Sequence, residues 1–187
     1  MRESLTDDEL MARGANGDMD SFRILVERWE RPVFIFLDRM LDSPEEAQDL
    51  GQETFLKMCR EAERYQPSGR FKSWLFRIAG NLARSRLRRR KILKWIRFEP
   101  EKHDHGASAR PADRDLEARE IRVMVREALR RLPERQRQAV ILRQFENLDY
   151  KEIAEAMGTT VSAVETLLHR AMRALREDLS RKKMEES

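Results

Sequence analysis

The chain has 187 residues, 39% of them charged, and its 38 basic residues outnumber its 34 acidic ones to give a net charge of +4. This length allows one domain or two small ones, and the modest net charge makes the distribution of charge more informative than its total. The longest apolar run, from Val33 to Leu37, is too short to span a bilayer, and the N-terminal sequence has no secretory hydrophobic region. We therefore predict a cytoplasmic protein. The single cysteine, Cys59, excludes an internal disulfide and is expected to be buried among apolar helix positions.

Nearly every segment has the hydrophobic period of an α-helix, and no stretch alternates convincingly with a period of two. Thr6 with Glu9 forms a capping-box pattern, and Ser43, Pro44 and Glu46 form a stronger one with proline at the first helical position. Helices are thus predicted to begin near residues 7 and 44.

The first half of the chain continues as helix beyond these two starts. An amphipathic helix is predicted through residues 22–40, with Pro32 as a candidate kink. A loop over residues 65–69 follows the third helix, and the helical period resumes from Trp74 to Leu82. A first all-helical domain is predicted over residues 1–96.

The helical pattern is lost between residues 98 and 115, where Gly, Ala, Ser and Pro occur with mixed charge. This composition predicts a flexible linker, which we place at residues 97–112. Helices resume with Leu116, and apolar residues recur at helical spacing as far as Leu132. The predicted fold class is therefore all-α, with two small helical domains, the second spanning residues 113–187.

Residues 148–176 predict a helix-turn-helix. Ala154 is small where two helices would cross, and Gly158, four residues later, suits a turn with positive φ. Thr159 or Thr160 would cap the second helix. Five apolar residues then recur at helical spacing and should face inward: Val161, Val164, Leu168, Ala171 and Leu175.

The opposite face of this second helix would enter a DNA major groove. The residues predicted to contact DNA there are Ser162, Ala163, Glu165, Thr166, His169, Arg170 and Arg173. An ordinary helical hairpin with a solvated polar face is the alternative.

Residues 84–97 form a cationic region that contains no acidic residue. Its eight cations are Arg84, Arg86, Arg88, Arg89, Arg90, Lys91, Lys94 and Arg97. Such a block is a candidate phosphate-binding surface.

The sequence contains few residues from which a catalytic site could be built. One Cys and three His cannot be assembled into a nucleophilic triad, and no glycine-rich phosphate loop is present. His103, Asp104 and His105 fall in the predicted linker without the further ligands that a closed metal site requires. We expect no catalytic residue, no metal and no cofactor.

Three blocks, in order along nearly the whole chain, resemble the extracytoplasmic function (ECF, group IV) sigma factors of bacterial RNA polymerase. Residues 47–58 (AQDLGQETFLKM) look like the family's helix that docks on the polymerase clamp. Residues 70–90 (RFKSWLFRIAGNLARSRLRRR) resemble the segment that melts and reads the promoter minus 10 element, and residues 132–171 resemble the minus 35 reader.

The resemblance implies roles for particular residues. On the docking helix these are Asp49, Gln52, Glu53, Phe55 and Leu56. Asn81 would read one unstacked base with its amide donor and acceptor. The arginines that would hold the strand's phosphates are Arg77, Arg84, Arg86, Arg88 and Arg89. Phe71 and Trp74 are candidate stacking platforms, although the spacing of Trp74 favours a core position.

The sequence also departs from the family pattern. Ser85 stands where relatives often carry an acid, and Glu165 and Leu167 stand where they often carry basic residues, so the promoter sequence cannot be inferred from relatives. Gly80 inside a helix costs up to about 1 kcal/mol against alanine. Close approach of DNA or of a neighbouring helix would explain it, and a merely tolerated glycine is the alternative.

The implied function is promoter-specific initiation with core RNA polymerase, without catalysis by this chain itself, in settings such as a stress response. The resemblance also implies an anti-sigma factor as partner, one that could hold the chain at the inner membrane face. A helix-turn-helix regulator that is not a polymerase subunit is the main alternative. An RNA-binding helical protein would leave the helix-turn-helix and the docking block unexplained.

Overall fold

The computed structural model describes residues 5–97 and 116–185, and every regular element in these two ranges is helical. The first range contains α1 (Asp7–Ala15), α2 (Met19–Leu41), α3 (Pro44–Arg60), a short 3-10 helix (Ala62–Arg64) and α4 (Phe71–Arg97). The second contains α5 (Leu116–Arg131), α6 (Glu134–Gln144), α7 (Tyr150–Met157) and α8 (Val161–Glu185). The predicted all-α class is confirmed. The predicted linker and the His103, Asp104 and His105 cluster lie outside the described residues, and the domain limits stay a prediction.

The two predicted capping signals had different outcomes. Thr6 and Glu9 form the complete capping box at the start of α1. At α3 the Ser43 hydroxyl accepts from the Glu46 amide at 3.4 Å, but the carboxylate of Glu46 binds Arg90 rather than the Ser43 backbone. The second capping box is therefore only half formed, because a charge-assisted bond to a guanidinium is stronger than one to a neutral amide.

The core of the first half lies between α2, α3 and α4. Leu25, Phe36 and Leu37 of α2 are fully buried, and the Phe36 ring lies 5.1 Å from that of Phe76 in α4. Pro32 lies inside α2, which continues to Leu41. This apolar contact holds α4 against the remainder of the first half.

A smaller aromatic cluster covers the beginning of α4. Trp74 is half-buried with its ring 4.8 Å from Tyr65, and Phe71 is only 2% exposed. Phe71 thus packs in the core and its ring is not available for stacking on a base. The core position favoured for Trp74 agrees with its contacts.

The second half has its core between α5, α6, α7 and α8. Leu129 in the last turn of α5 and Leu132 just after the helix are buried, whereas Ile121 and Val125 nearer its beginning are 50% and 38% exposed. The apolar spacing of α5 therefore extends beyond the part of the helix that is covered. None of the helices among the described residues is long and apolar enough to cross a membrane.

The two halves contact each other. α4 packs against α7, and α2 packs against α6 and the end of α5. The buried guanidinium of Arg137 in α6 donates to the Met40 carbonyl of α2 at 2.7 Å and to the Arg130 carbonyl of α5 at 2.7 Å. The sequence did not predict this contact.

Candidate polymerase and nucleic-acid interfaces

The predicted docking residues of α3 lie on its outer face. Ala47, Leu50 and Met58 point into the core, and the Thr54 hydroxyl donates to the Leu50 carbonyl at 2.6 Å. The helical repeat therefore turns the opposite side of α3 outward. Exposed on that side are Asp49, Gln52, Glu53 and Leu56, of which Leu56 is 57% exposed.

Phe55 differs from the other predicted docking residues, because it is half-buried and packs against the core. Part of its ring surface is thus committed to holding α3 in place. Of the two apolar residues predicted for docking, only Leu56 is thus exposed beside the acidic residues of this face.

Asn81 lies on the exposed side of α4 at the edge of a cavity of about 400 Å³. The cavity lies between α3 and α4 and is lined by Lys57, Asn81, Leu82, Arg84, Ser85 and Arg88. Three cations and one amide therefore surround it, a lining suited to a base with its adjoining phosphate. Lys57 was not predicted from sequence, because it belongs to the docking helix rather than to the basic block.

The arginines predicted to bind phosphate do not share one environment. Arg77, Arg88 and Arg89 are exposed, whereas Arg84 and Arg86 are half-buried. Arg86 lies 3.6 Å from the carboxylate of Glu46. Arg84 donates to the Asn81 side-chain oxygen through Nη2 and to Gln138 through Nη1 at 3.2 Å. Burial, with the nearby charge of Arg135, lowers the pKa of Arg84.

Arg90, another cation of the basic block, holds helices together. It binds both carboxylate oxygens of Glu46 and donates to the Leu41 carbonyl at 3.0 Å. These contacts fasten α4 to α3 and to the end of α2. The block is thus divided between cations that face outward and cations that hold the fold together.

The helix-turn-helix has the geometry that the sequence predicted. Gly158 ends α7 in the left-handed region, with φ of 59°. Of the two threonines considered as caps, Thr160 accepts from the Ala163 amide at 3.2 Å. The structure adds a capping box that the prediction missed, formed by Asp149 and Glu152 at the start of α7.

The outer face of α8 is open to solvent. Exposed there are Ser162, Glu165, Thr166, His169, Arg170 and Arg173, with Ala163 half-buried among them. On the inner face Val164, Leu168 and Ala171 are buried. Val161 is 37% exposed, so the prediction that it faces inward was wrong. Val161 is the first residue of α8 and lies one helical turn before the buried Val164.

Two features of the described residues bear on metal binding and on thiol reactivity. Among residues 5–97 and 116–185, no three His, Cys, Asp or Glu side chains are grouped to hold a metal ion. Cys59 is half-buried, and burial raises the pKa of its thiol. A raised pKa decreases the fraction of reactive thiolate.

Two cationic helical faces, one of them on a helix-turn-helix, are the features of a DNA-binding protein. The family model for sigma-70 region 2 matches residues 25–92, and that for sigma-70 region 4 matches residues 122–175. The first match contains the faces of α3 and α4, and the second contains the helix-turn-helix.

The chain is also similar to curated proteins over most of its length. It is 33% identical over 178 residues to the ECF RNA polymerase sigma-E factor of Haemophilus influenzae, covering 91% of this chain and 94% of the relative. It is 31% identical over 182 residues to the ECF RNA polymerase sigma-E factor of Escherichia coli K12, covering 94% and 95%. The chain therefore belongs to the ECF sigma factors of the sigma-70 family, which is not a family of enzymes.

Two solved structures have the same fold. One is CnrH in complex with the cytosolic domain of CnrY, with a TM-score of 0.70, 24% identity, and coverage of 93% of this chain and 97% of that one. The other is the sigma factor RpoE of Bartonella quintana in complex with the anti-sigma factor NepR, with a TM-score of 0.69, 22% identity, and coverage of 85% and 96%. Both likenesses extend across the two halves of the chain.

Proposed function

We propose that this chain joins core RNA polymerase through the outer face of α3 and directs it to promoters with a minus 10 and a minus 35 element. The proposal rests on one observation: the exposed surfaces described above lie within the residues that the two sigma-70 family models match. The acidic face of α3 and the cationic cavity beside Asn81 lie within the region 2 match, and the exposed face of α8 lies within the region 4 match.

The three surfaces would have different tasks. Asp49, Gln52, Glu53 and Leu56 would bind basic and apolar groups of the polymerase, with Phe55 beneath them. Asn81 would read one unstacked minus 10 base, while the exposed arginines of α4 hold the phosphates of that strand. The outer face of α8 would read the minus 35 element in the major groove.

The chain would act in the cytoplasm and would have no catalytic activity of its own, since polymerisation belongs to the core enzyme. An anti-sigma factor is the proposed regulator. Support comes from the Bartonella quintana structure, in which a sigma factor of this fold is bound by one. An anti-sigma factor anchored in the inner membrane would hold the chain at its cytoplasmic face.

Charge reversal on α3 tests the docking surface. Asp49→Lys with Glu53→Lys should place like charges against a basic clamp and abolish co-purification with core polymerase and promoter-specific transcription, because like-charge juxtaposition costs several kcal/mol. Glu30→Lys with Glu63→Lys is the matched control, since it changes the same number of exposed acids outside the docking face. Wild-type yield of the polymerase complex with the α3 variant would contradict the assignment.

A further inference from the structure

Gly80 lies inside α4, where a helix gains nothing from glycine and would be more stable with alanine. It is buried, and a Cβ atom at this position would lie 2.2 Å from Nε2 and 3.2 Å from Cδ of Gln138 in α6. The missing side chain makes room for Gln138. The alternative of close approach by a neighbouring helix thus explains this glycine.

Gln138 connects α6 to the residues assigned to minus 10 reading. Its side chain is fully buried, and its Oε1 accepts from Arg84 Nη1 at 3.2 Å. The other terminal nitrogen of Arg84 donates to the side-chain oxygen of Asn81. One lone pair of the oxygen that Asn81 would offer to a base is therefore engaged by Arg84, which Gln138 in turn holds.

Ion pairs also join the two halves. Arg126 lies 2.8 Å from Asp38, Lys91 lies 2.7 Å from Glu134, and Arg70 pairs with Glu155. In addition, Nε2 of Gln138 is buried without a hydrogen-bond partner. Separation of the halves would hydrate this group, and polar contacts of this kind are typical of domain interfaces that open.

A compact chain of this length is too short to read a whole promoter. A compact chain of this length has a radius of gyration of about 16 Å, hence a width of about 40 Å. The centres of a minus 10 and a minus 35 element are about 25 base pairs apart, which is about 85 Å of B-DNA at about 3.4 Å per pair. The halves must therefore separate before α4 and α8 contact their elements together.

We propose that Gln138 is an intramolecular latch: seated at Gly80, it holds Arg84 and Asn81 in a closed form that does not read the minus 10 base, and release of α6 frees both residues. This proposal rests on the assignment of Asn81 and Arg84 to the minus 10 surface. It adds a contact within the chain that opposes promoter reading, separate from any anti-sigma partner.

Distances between spin labels in the full-length chain test the latch directly. With Cys59 replaced by serine, labels at Glu30→Cys in α2 and Lys151→Cys in α7 report the separation of the halves, since both positions are exposed. The parent protein should give one narrow distribution. Gly80→Ala should shift the distribution to longer, broader distances, because the added methyl group displaces the Gln138 amide and breaks its bond with Arg84.

Gly51→Ala is the matched control. Gly51 is also a buried glycine inside a helix, but a Cβ atom there would have no neighbour within 4 Å. This variant should leave the distances unchanged. Gln138→Ala removes the latch without adding a methyl group at residue 80, so it should likewise shift the distribution to longer distances, and an unchanged distribution would contradict the proposal. Circular dichroism should show full helix content in each variant.

Binding of a single-stranded minus 10 oligonucleotide tests the connection to reading. If the closed form outnumbers the open form about tenfold, Gly80→Ala should bind about tenfold more tightly than the parent, since apparent affinity scales with the competent fraction. Unchanged distances in Gly80→Ala would overturn the latch. Longer distances without tighter binding would overturn its effect on reading. Failure of the sigma-factor assignment would be recognised separately, as absence of promoter-specific transcription with core polymerase in every variant, the parent included, while the distance shifts persist.

Discussion

Arg137→Ala should destabilise the protein more than any exposed arginine would. The Arg137 side chain is 7% exposed and donates to the carbonyls of Met40 and Arg130, both at 2.7 Å, and of Leu132 at 3.4 Å. Hydrogen bonds to a charged group contribute about 1.5–3 kcal/mol each, and removal of the guanidinium leaves buried carbonyls without their donor. Burial lowers the pKa of Arg137, which shows that desolvation offsets part of this gain.

We expect a net loss of about 3 kcal/mol in the free energy of unfolding, or a melting temperature lower by about 6–12 °C for a chain of this size. Urea denaturation followed by circular dichroism measures the first quantity and calorimetry the second. Arg135→Ala, two residues away on the exposed side of α6, is the control and should change stability by less than about 0.5 kcal/mol. An Arg137→Ala protein that melts within about 2 °C of the parent would refute the reasoning.

Three further outcomes are expected. Asn81→Ala should reduce discrimination at one minus 10 position by about 1–3 kcal/mol, whereas Arg88→Ala should weaken binding evenly across sequences; identical, sequence-independent losses in binding assays would make Asn81 a structural residue. Glu165→Lys, selected on a randomised minus 35 library, should change the preferred base if the carboxylate accepts from a cytosine amino group, and unchanged preference with uniformly higher affinity would contradict base reading. Burial raises the pKa of Glu146 above its ordinary value near 4.5, so the folded state keeps this proton at higher pH than the unfolded state does, and stability should increase as pH falls from neutral through that raised pKa. Glu146→Gln should remove this increase from unfolding curves and be more stable at pH 7; a pH dependence equal to that of the parent would contradict it.

Features of the fold that depend on neighbouring residues in the sequence were predictable. The capping box joins Thr6 and Glu9, which are only three positions apart, and the turn at Gly158 requires a backbone conformation that glycine adopts without strain. Glu46 shows where such reasoning fails. Its local pattern predicts a bond to the Ser43 backbone, but its partner is an arginine 44 residues away whose position depends on how α4 packs on α3.

For the candidate site, too, the sequence predicted which side chains face outward but not which distant residues contact them. Helical phase correctly placed Glu165 on an outward face, and Asp49 and Asn81, which the family resemblance singled out, are exposed as well. Phase alone does not reveal which exposed-looking polar group has a protein partner, so the bond from Arg84 to Gln138 was not predicted. Gly80 was the one signal of that contact in the sequence, and one glycine does not identify its neighbour.

Only part of the basic block faces outward, and this limits how many DNA phosphates the protein can neutralise and how many counterions the DNA then releases. Between residues 84 and 91, Arg84, Arg86, Arg90 and Lys91 all contact protein oxygen atoms, whereas Arg88 and Arg89 are exposed. Each phosphate neutralised on a single strand contributes about −0.7 to the slope of log affinity against log salt concentration. Arg88 and Arg89, with the exposed Arg77, would therefore give about −2.1, and all five arginines predicted to hold phosphate would give about −3.5. In the closed form, α4 would thus bind single-stranded DNA with a weaker salt dependence than its sequence suggests, because Arg86 and Arg90 are paired with Glu46 within the fold.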